Sequence, residues 1–257
     1  MLLKDRVTVV YGACGSVGGA IARAFAAEGA ALHLAGKHHD RLALLAAELR
    51  GRGNTVYTGV VDATDGHEVN AYLQRVVNLS GRIDISFNLI GWQDVQDVAL
   101  ADMDVEDFLR PIRIAMQSQF LTAAAAARSM RRQGSGVILF LTATPAGKAY
   151  AGVGGFGPAC SAVEAFSRNL AAELGPSGIR VITLRSAGSP DSAVFRNAIA
   201  AGGSEIQAAL DRIVNDTMLK RMPLLSEIAD AAVFAASDRA SAITGSTLNL
   251  TCGTTRD

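Results

Sequence analysis

From Arg6 to Gly29 the chain reads RVTVVYGACGSVGGAIARAFAAEG, and no other stretch restricts the possible folds as strongly. Val7, Val9 and Val10 form a short β-branched run. Glycines then crowd together at Gly12, Gly15, Gly18 and Gly19, and Val17, Ile21 and Phe25 fall four apart on one face of a helix that Gly29 ends. Strand, glycine turn and helix in this order form a phosphate cradle of the dinucleotide-binding kind. The glycines let the backbone turn tightly and approach a pyrophosphate, and the first helical turn offers unpaired N–H groups and the positive end of its dipole. Tight strand-to-helix turns also use glycine for steric reasons alone. The placement after the first strand and before an amphipathic helix favours nucleotide binding.

Composition narrows the partners. The 257 residues carry 24 basic and 24 acidic side chains, and that balance argues against nucleic acid or an acidic membrane and leaves a small molecule as the expected ligand. The opening MLLKDRVTVV lacks the apolar core and cleavage site of a signal peptide, and no apolar run reaches spanning length unbroken by charge or glycine. A cytoplasmic location is the expectation. Cys14, Cys160 and Cys252 are odd in number and far apart, and the four histidines show no ligand spacing, so neither a disulfide framework nor a metal site is expected. His38-His39 reads as a polar turn.

Strands and helices alternate along the rest of the chain. Ala31–Ala35 reads as a second strand, followed by a helix through Arg50 that Asp40 can cap. Thr55–Val61 is a third strand. Asp65-Gly-His-Glu68 has the spacing of a capping box before a helix carrying Val69, Leu73 and Val76. Ile83–Ile90 is strand four, and a long helical stretch from Val105 to Gln133 contains Pro111, where a break or kink is expected. Gly136–Ala143 and Ile179–Leu184 are strands five and six around a helix within Phe156–Glu173. The stretch Ser189–Pro223 is helical, less patterned and interrupted by Gly202-Gly203. Ser226–Ala236 is a helix and Thr247–Thr251 a last strand. Strands this apolar, each followed by a helix, imply an α/β fold: a doubly wound, mostly parallel sheet covered on both faces, in one domain spanning residues 1–257.

With this order in view, the chain resembles the short-chain dehydrogenase/reductase family, whose fold is Rossmann-like, over essentially its full length. Tyr11-Gly-Ala-Cys-Gly-Ser-Val-Gly18 is similar to the family's Thr-Gly-x-x-x-Gly-x-Gly loop. Asp62 falls where an Asp after strand three contacts the adenine, with Ala63 beside it, and Asn88-Leu-Ile-Gly91 looks like the Asn-Asn-Ala-Gly segment after strand four. Gly178-Ile-Arg-Val181, Ile243-Thr-Gly245 and Leu248-Asn-Leu250 also match in place. The resemblance implies a nicotinamide nucleotide bound by Gly12, Gly15, Ser16, Val17, Gly18, Lys37, Asp62, Ala63, Asn88 and Gly91. It also implies oxidoreductase chemistry and a homotetramer or homodimer built on the long helices after strands four and five, where Ala123–Ala127 is flat enough for close helix approach.

Departures from the family pattern bear on each of these expectations. Ser16 stands where the family has its second loop glycine, and its Cβ is expected to crowd the pyrophosphate, with Gly15 next door able to restore the freedom. After strand two the chain has Gly36-Lys37 rather than a carboxylate. An acidic residue there would accept hydrogen bonds from a free adenosine ribose and repel a 2′-phosphate, so Lys37 favours NADP(H) over NAD(H), with a solvated turn cation as the competing reading.

At the catalytic positions the resemblance implies a Tyr-x-x-x-Lys pair on one helical turn, a Ser about a dozen residues earlier and an Asn on the long preceding helix. The Tyr hydroxyl transfers the proton, and the ammonium lowers its pKa. Here Phe156 and Cys160 stand at the Tyr and Lys positions, Ala115 at the Asn position and Thr144 at the Ser position. Only Thr144 keeps its chemistry. Tyr150, with Lys148 beside it, is the one local phenol and the candidate for a relocated acid; a solvent-facing rim loop is the alternative. Cys160 as a nucleophile would need a nearby base or cation. Three readings follow: an NADP(H)-binding protein with a degenerate catalytic site, an oxidoreductase with a non-standard proton route, and a fold remnant that binds no nucleotide.

Overall fold

The structure, a computed structural model, describes residues 1–202 and 204–255. Seven strands form one sheet: β1 (Val7–Tyr11), β2 (Ala31–Gly36), β3 (Val56–Val60), β4 (Ile85–Asn88), β5 (Gly136–Ala143), β6 (Ile179–Ser186) and β7 (Ser246–Leu250). Their order is β3-β2-β1-β4-β5-β6-β7, and every pair is parallel. The helices are α1 (Ser16–Ala27), α2 (His39–Gly51), α3 (Gly66–Ser80), α4 (Val105–Gln133), α5 (Phe156–Leu174), α6 (Ala193–Ala201), α7 (Ser204–Asp216) and α8 (Leu225–Ala236). The interruption expected at Gly202-Gly203 falls between α6 and α7; Gly203 lies outside the described residues.

Side-chain alternation along the strands builds two cores. Val10, Leu32, Leu34, Phe87, Leu139 and Leu184 pack beneath α1, α2 and α8, while Val9, Tyr11, Ile138, Phe140 and Val181 pack beneath α3, α4 and α5. Burial on both faces explains why the strands read as continuous apolar runs.

Two local expectations change. Asp40 does not cap α2: the N-cap is His38, and Asp40 sits in the first helical turn. Pro111 does not break α4, which runs unbroken from Val105 to Gln133. The buried ring of Pro111 lies against the start of α5, where a Cβ on Gly155 would come within 3.0 Å of its Cγ. Packing against α5 outweighs the single hydrogen bond that the proline removes. The capping box after β3 is half formed. Asp65 caps α3 by accepting from His67 N and Glu68 N, but Glu68 reaches Asp62 N at 2.7 Å instead of its own cap.

The strand order reverses between β1 and β4, so the loops following them diverge and open a crevice at the carboxyl ends of the strands.

Candidate functional site

The crevice at the strand switch is a cleft of about 370 Å³, lined among others by Gly12, Gly15, Lys37, Ala63 and Gly91. The glycine turn shapes its floor. Gly12 has φ +71°, and a Cβ there would lie 2.6 Å from Leu89 O; a Cβ on Gly18 would lie 2.3 Å from Gly12 O. These two positions admit only glycine. Gly15 has free space, its added Cβ meeting only Gly12 O at 3.4 Å, and it is the N-cap of α1. The first N–H groups of α1 therefore face the cleft with no side chain closing the approach, which fits a pyrophosphate.

Ser16 does not line the cleft. It is half-buried at the start of α1, and its Oγ accepts a hydrogen bond from Ala193 N at 2.9 Å, tying the first residue of α6 to the glycine turn. Val17 turns the other way and packs against the α1–α8 core.

Where β2 and β3 end beside the cleft, Lys37 Nζ lies 2.7 Å from Asp62 Oδ2. Asp62 Oδ1 also accepts from Thr64 N at 2.9 Å and from Thr64 Oγ1 at 2.6 Å. Partial burial pushes the Asp62 carboxyl upward, but the bonds from Lys37 and Thr64 outweigh it and hold the group below the ordinary range. The two residues that the sequence assigns to adenine and to phosphate are thus joined to each other. Ala63 is buried and lines the cleft, and Gly91 is exposed at its edge. Asn88 is buried behind the wall: its Nδ2 donates to Thr122 Oγ1 at 3.1 Å and its Oδ1 accepts from Ile90 N at 3.1 Å, fixing the turn toward Gly91.

A second, smaller cavity of about 190 Å³ adjoins the first through Leu89, Ile90 and Gly91, and Phe156, Trp92, Gln119, Thr142 and Ala143 help to line it. Phe156 opens α5, with its ring centroid 5.5 Å from that of Trp92. One turn on, Cys160 is fully buried, and burial pushes its thiol up to about 12. A thiol so protonated and sealed is neither nucleophile nor cation at neutral pH. Ala115 is fully buried and carries no polar atom in its side chain. Gln119, one turn further along α4, donates from Nε2 to Asn88 O at 3.3 Å, and its Oε1 has no partner among the described residues.

The structure brings Thr144 and Tyr150 together, outside both cavities. Thr144 acts on the Tyr150 hydroxyl to favour its ionised form, and that hydroxyl donates to Asp216 Oδ2 at 3.5 Å. Lys148 ion-pairs with Asp216 at the end of α7 and lies 5.6 Å from the Tyr150 ring centre. Burial raises the phenol and Asp216 adds to the rise, against the lowering effects of Thr144 and Lys148.

Sequence reasoning overlooked several residues lining the cleft: Cys14, His38 and Arg41 on one side, Gln93 and Ile114 on the other. The basic run Lys37-His-His-Asp-Arg41 was a legible signal for the first group. Trp92 and Gln93 carry no motif, and they line the cavities from the irregular segment after Gly91.

A family model described as enoyl-(acyl carrier protein) reductase matches residues 12–255. Among curated proteins, cis-4-hydroxycyclohexanecarboxylate dehydrogenase of Sinomonas cyclohexanicum is 30% identical over 98% of this chain and 97% of its own length. The 3alpha-hydroxysteroid dehydrogenase of Mediterraneibacter gnavus is 28% identical over 97% of each. The solved structure of NAD+-bound xylitol dehydrogenase superposes with a TM-score of 0.90 at 25% identity, covering 97% of this chain and 98% of that one.

Proposed function

Because the chain belongs to the short-chain dehydrogenase/reductase family, we propose that it holds NADP(H) in the cleft between β1 and β4 but lacks the family's proton-transfer turn. It then serves as a binding, sensing or partner protein rather than as an ordinary reductase. A nicotinamide nucleotide, when bound, would exchange hydride with a carbon of its reaction partner. The residues around it here would bind and enclose. Gly12, Gly15 and Gly18 leave room for the pyrophosphate, and the N-terminus of α1 compensates its charge. No carboxylate follows β2 directly: Gly36, Lys37 and His38 line the cleft there, which suits a 2′-phosphate.

One observation carries the catalytic half of the reading. At the turn facing the second cavity stand a hydrocarbon ring, Phe156, and a sealed thiol, Cys160, so no side chain of that turn can move a proton to or from a carbonyl oxygen. The cavity's aromatic wall suits an alicyclic ring. The two curated relatives above are named for a hydroxycyclohexane and a hydroxysteroid substrate.

Calorimetric titration of NADPH and NADH, together with a panel of cyclic ketones, tests the proposal. NADPH is expected to bind more tightly than NADH, with no turnover above background. Failure of both nucleotides to bind at millimolar concentration would make the chain a fold remnant. Family-typical reduction of a ketone, abolished by Tyr150→Phe or Thr144→Val, would establish the non-standard proton route in its place.

A further inference from the structure

We propose that the second cavity, beside the nucleotide cleft, takes a small alicyclic amine that also carries a hydroxyl or carbonyl oxygen: Asp94 and Gln119 receive its ammonium, and Trp92 holds its oxygen. The inference rests on the reading of this cavity as the ligand site next to the nucleotide, and it names the chemistry of that ligand.

The charge on the cavity wall is one-sided. Asp94 lines the cavity, and no lysine, arginine or histidine does so among the described residues. The Asp94 carboxylate is half-buried and has no ion pair among the described residues; it accepts one hydrogen bond, from Gln96 Nε2 to Oδ2 at 2.6 Å. The charges behind the wall cancel. Thr142 lines the cavity and donates to Glu164 Oε1 at 2.7 Å, and the buried Glu164 is matched by the buried Arg185 at 2.6 Å. Burial is the main cause that raises the Cys160 thiol, and the Asp94 charge raises it further, so the field of the carboxylate reaches the turn of α5 that Phe156 opens. This wall repels an anion and leaves its charge unmatched beside a neutral guest. A cation answers it.

Two buried polar atoms of the lining residues are unmatched as well. Gln119 turns its Nε2 to Asn88 O, to which it donates at 3.3 Å, so Oε1 is the free end of the amide and has no partner among the described residues. Trp92 Nε1 is a buried donor in the same state. Such groups cost stability until something completes them. An ammonium has three N–H donors, enough for Asp94 and Gln119 Oε1 together, and an oxygen on the same ligand answers the indole. The Trp92 and Phe156 rings, with centroids 5.5 Å apart, add aromatic surface that suits both a hydrocarbon ring and a nearby cation. At about 190 Å³ the cavity is smaller than a site for a drug-sized ligand, which limits the guest to roughly one ring.

Calorimetry on the full chain, with and without saturating NADPH, tests this with probes of one shape: 4-aminocyclohexanol, 1,4-cyclohexanediol and 4-hydroxycyclohexanecarboxylate. The amino alcohol is expected to bind about tenfold or more tightly than the diol, the scale of a charge-assisted hydrogen bond, and the acid to bind weakest. Asp94→Asn, which keeps the shape of the side chain, is expected to weaken the amino alcohol about tenfold and the diol less than about twofold. Trp92→Phe is expected to weaken amino alcohol and diol alike, by about three- to tenfold, and to spare cyclohexylamine. Thermal unfolding checks that both variants fold, and the ranking of the probes on the unaltered protein stands without them. A diol that binds as tightly as the amino alcohol, an amine preference that survives Asp94→Asn, or no binding of any probe with NADPH present would overturn the assignment and leave the NADP(H) reading standing. So would an Asp94→Asn variant that weakens NADP+ as much as it weakens the amine, because the carboxylate would then serve the nicotinamide ring. Binding of the amino alcohol by a protein that takes neither nucleotide would keep the amine site and overturn the NADP(H) reading.

Discussion

Phe156 and Cys160 sit one helical turn apart at the start of α5, and their chemistry sets what the second cavity can do. A positioned general acid contributes about 10² to 10⁴ in rate, roughly 3 to 5 kcal/mol of barrier. Phe156 supplies none of it. Phe156→Tyr alone is expected to recover little, because a phenol with no ammonium beside it keeps a pKa near its ordinary value of about 10. Phe156→Tyr with Cys160→Lys restores both groups at i and i+4 on one helix face. The double variant should show slow NADPH-dependent reduction of cyclic ketones, followed by absorbance, where either single variant shows none. Equal rates in the Phe156→Tyr variant and the double variant would mean that the cation is dispensable. These vacancies were legible in the residue types themselves. The roles of Ser16 and Lys37 were not, because each is decided by a partner distant in sequence or across a strand end: Ala193 N for the one, Asp62 for the other.

At the scale of elements, local patterns marked every strand and helix, while tertiary contacts decided how two of them begin or continue. Asp65 could be read as a cap because its acceptor serves N–H groups two and three residues on. The continuity of α4 could not, because what holds it through Pro111 is the start of α5. The same kind of contact gives β2 a pH-sensitive point. His33 is buried in mid-strand, its ring stacked on Tyr57 with centroids 4.8 Å apart and its Nε2 2.8 Å from Ser80 Oγ, and burial lowers its pKa to about 4. In the unfolded chain a histidine takes a proton near pH 6.5, while the folded chain resists until about 4. The neutral ring's contribution is therefore complete above pH 6.5 and is lost as the pH falls from 6.5 toward 4. The loss should reach about 2 kcal/mol by pH 4.5, measured by urea denaturation. His33→Gln should start less stable at pH 7 and fall less steeply with acid. Parallel pH profiles for the two proteins would show that His33 titrates normally in the fold.

For the whole molecule, the unresolved choice was which apolar surface belongs to the chain's own core and which is left for a partner. Ala123, Ala125, Ala126 and Ala127 look in sequence like a stripe for close helix approach between subunits. All four are buried within the chain, against its own sheet and helices. The same helix nevertheless exposes Val105, Leu109 and Phe120, the last 55% exposed with its ring centroid 6.1 Å from that of Phe166 on α5. Large side chains exposed on a long helix are costly to leave in water, and a second copy of the same face, related by a twofold axis, would cover them symmetrically. We propose a homodimer through α4 and α5 as the basic unit, and a tetramer as the further assembly. Light scattering at micromolar concentration should give a multiple of the 26.7 kDa chain mass. Phe120→Glu places two carboxylates against each other across such an axis, and it should shift the protein to 26.7 kDa without lowering the unfolding temperature of the monomer's own core. A wild-type mass of 26.7 kDa would remove the interface. A Phe120→Glu variant that keeps the wild-type multimeric mass would move the interface to another face of the molecule.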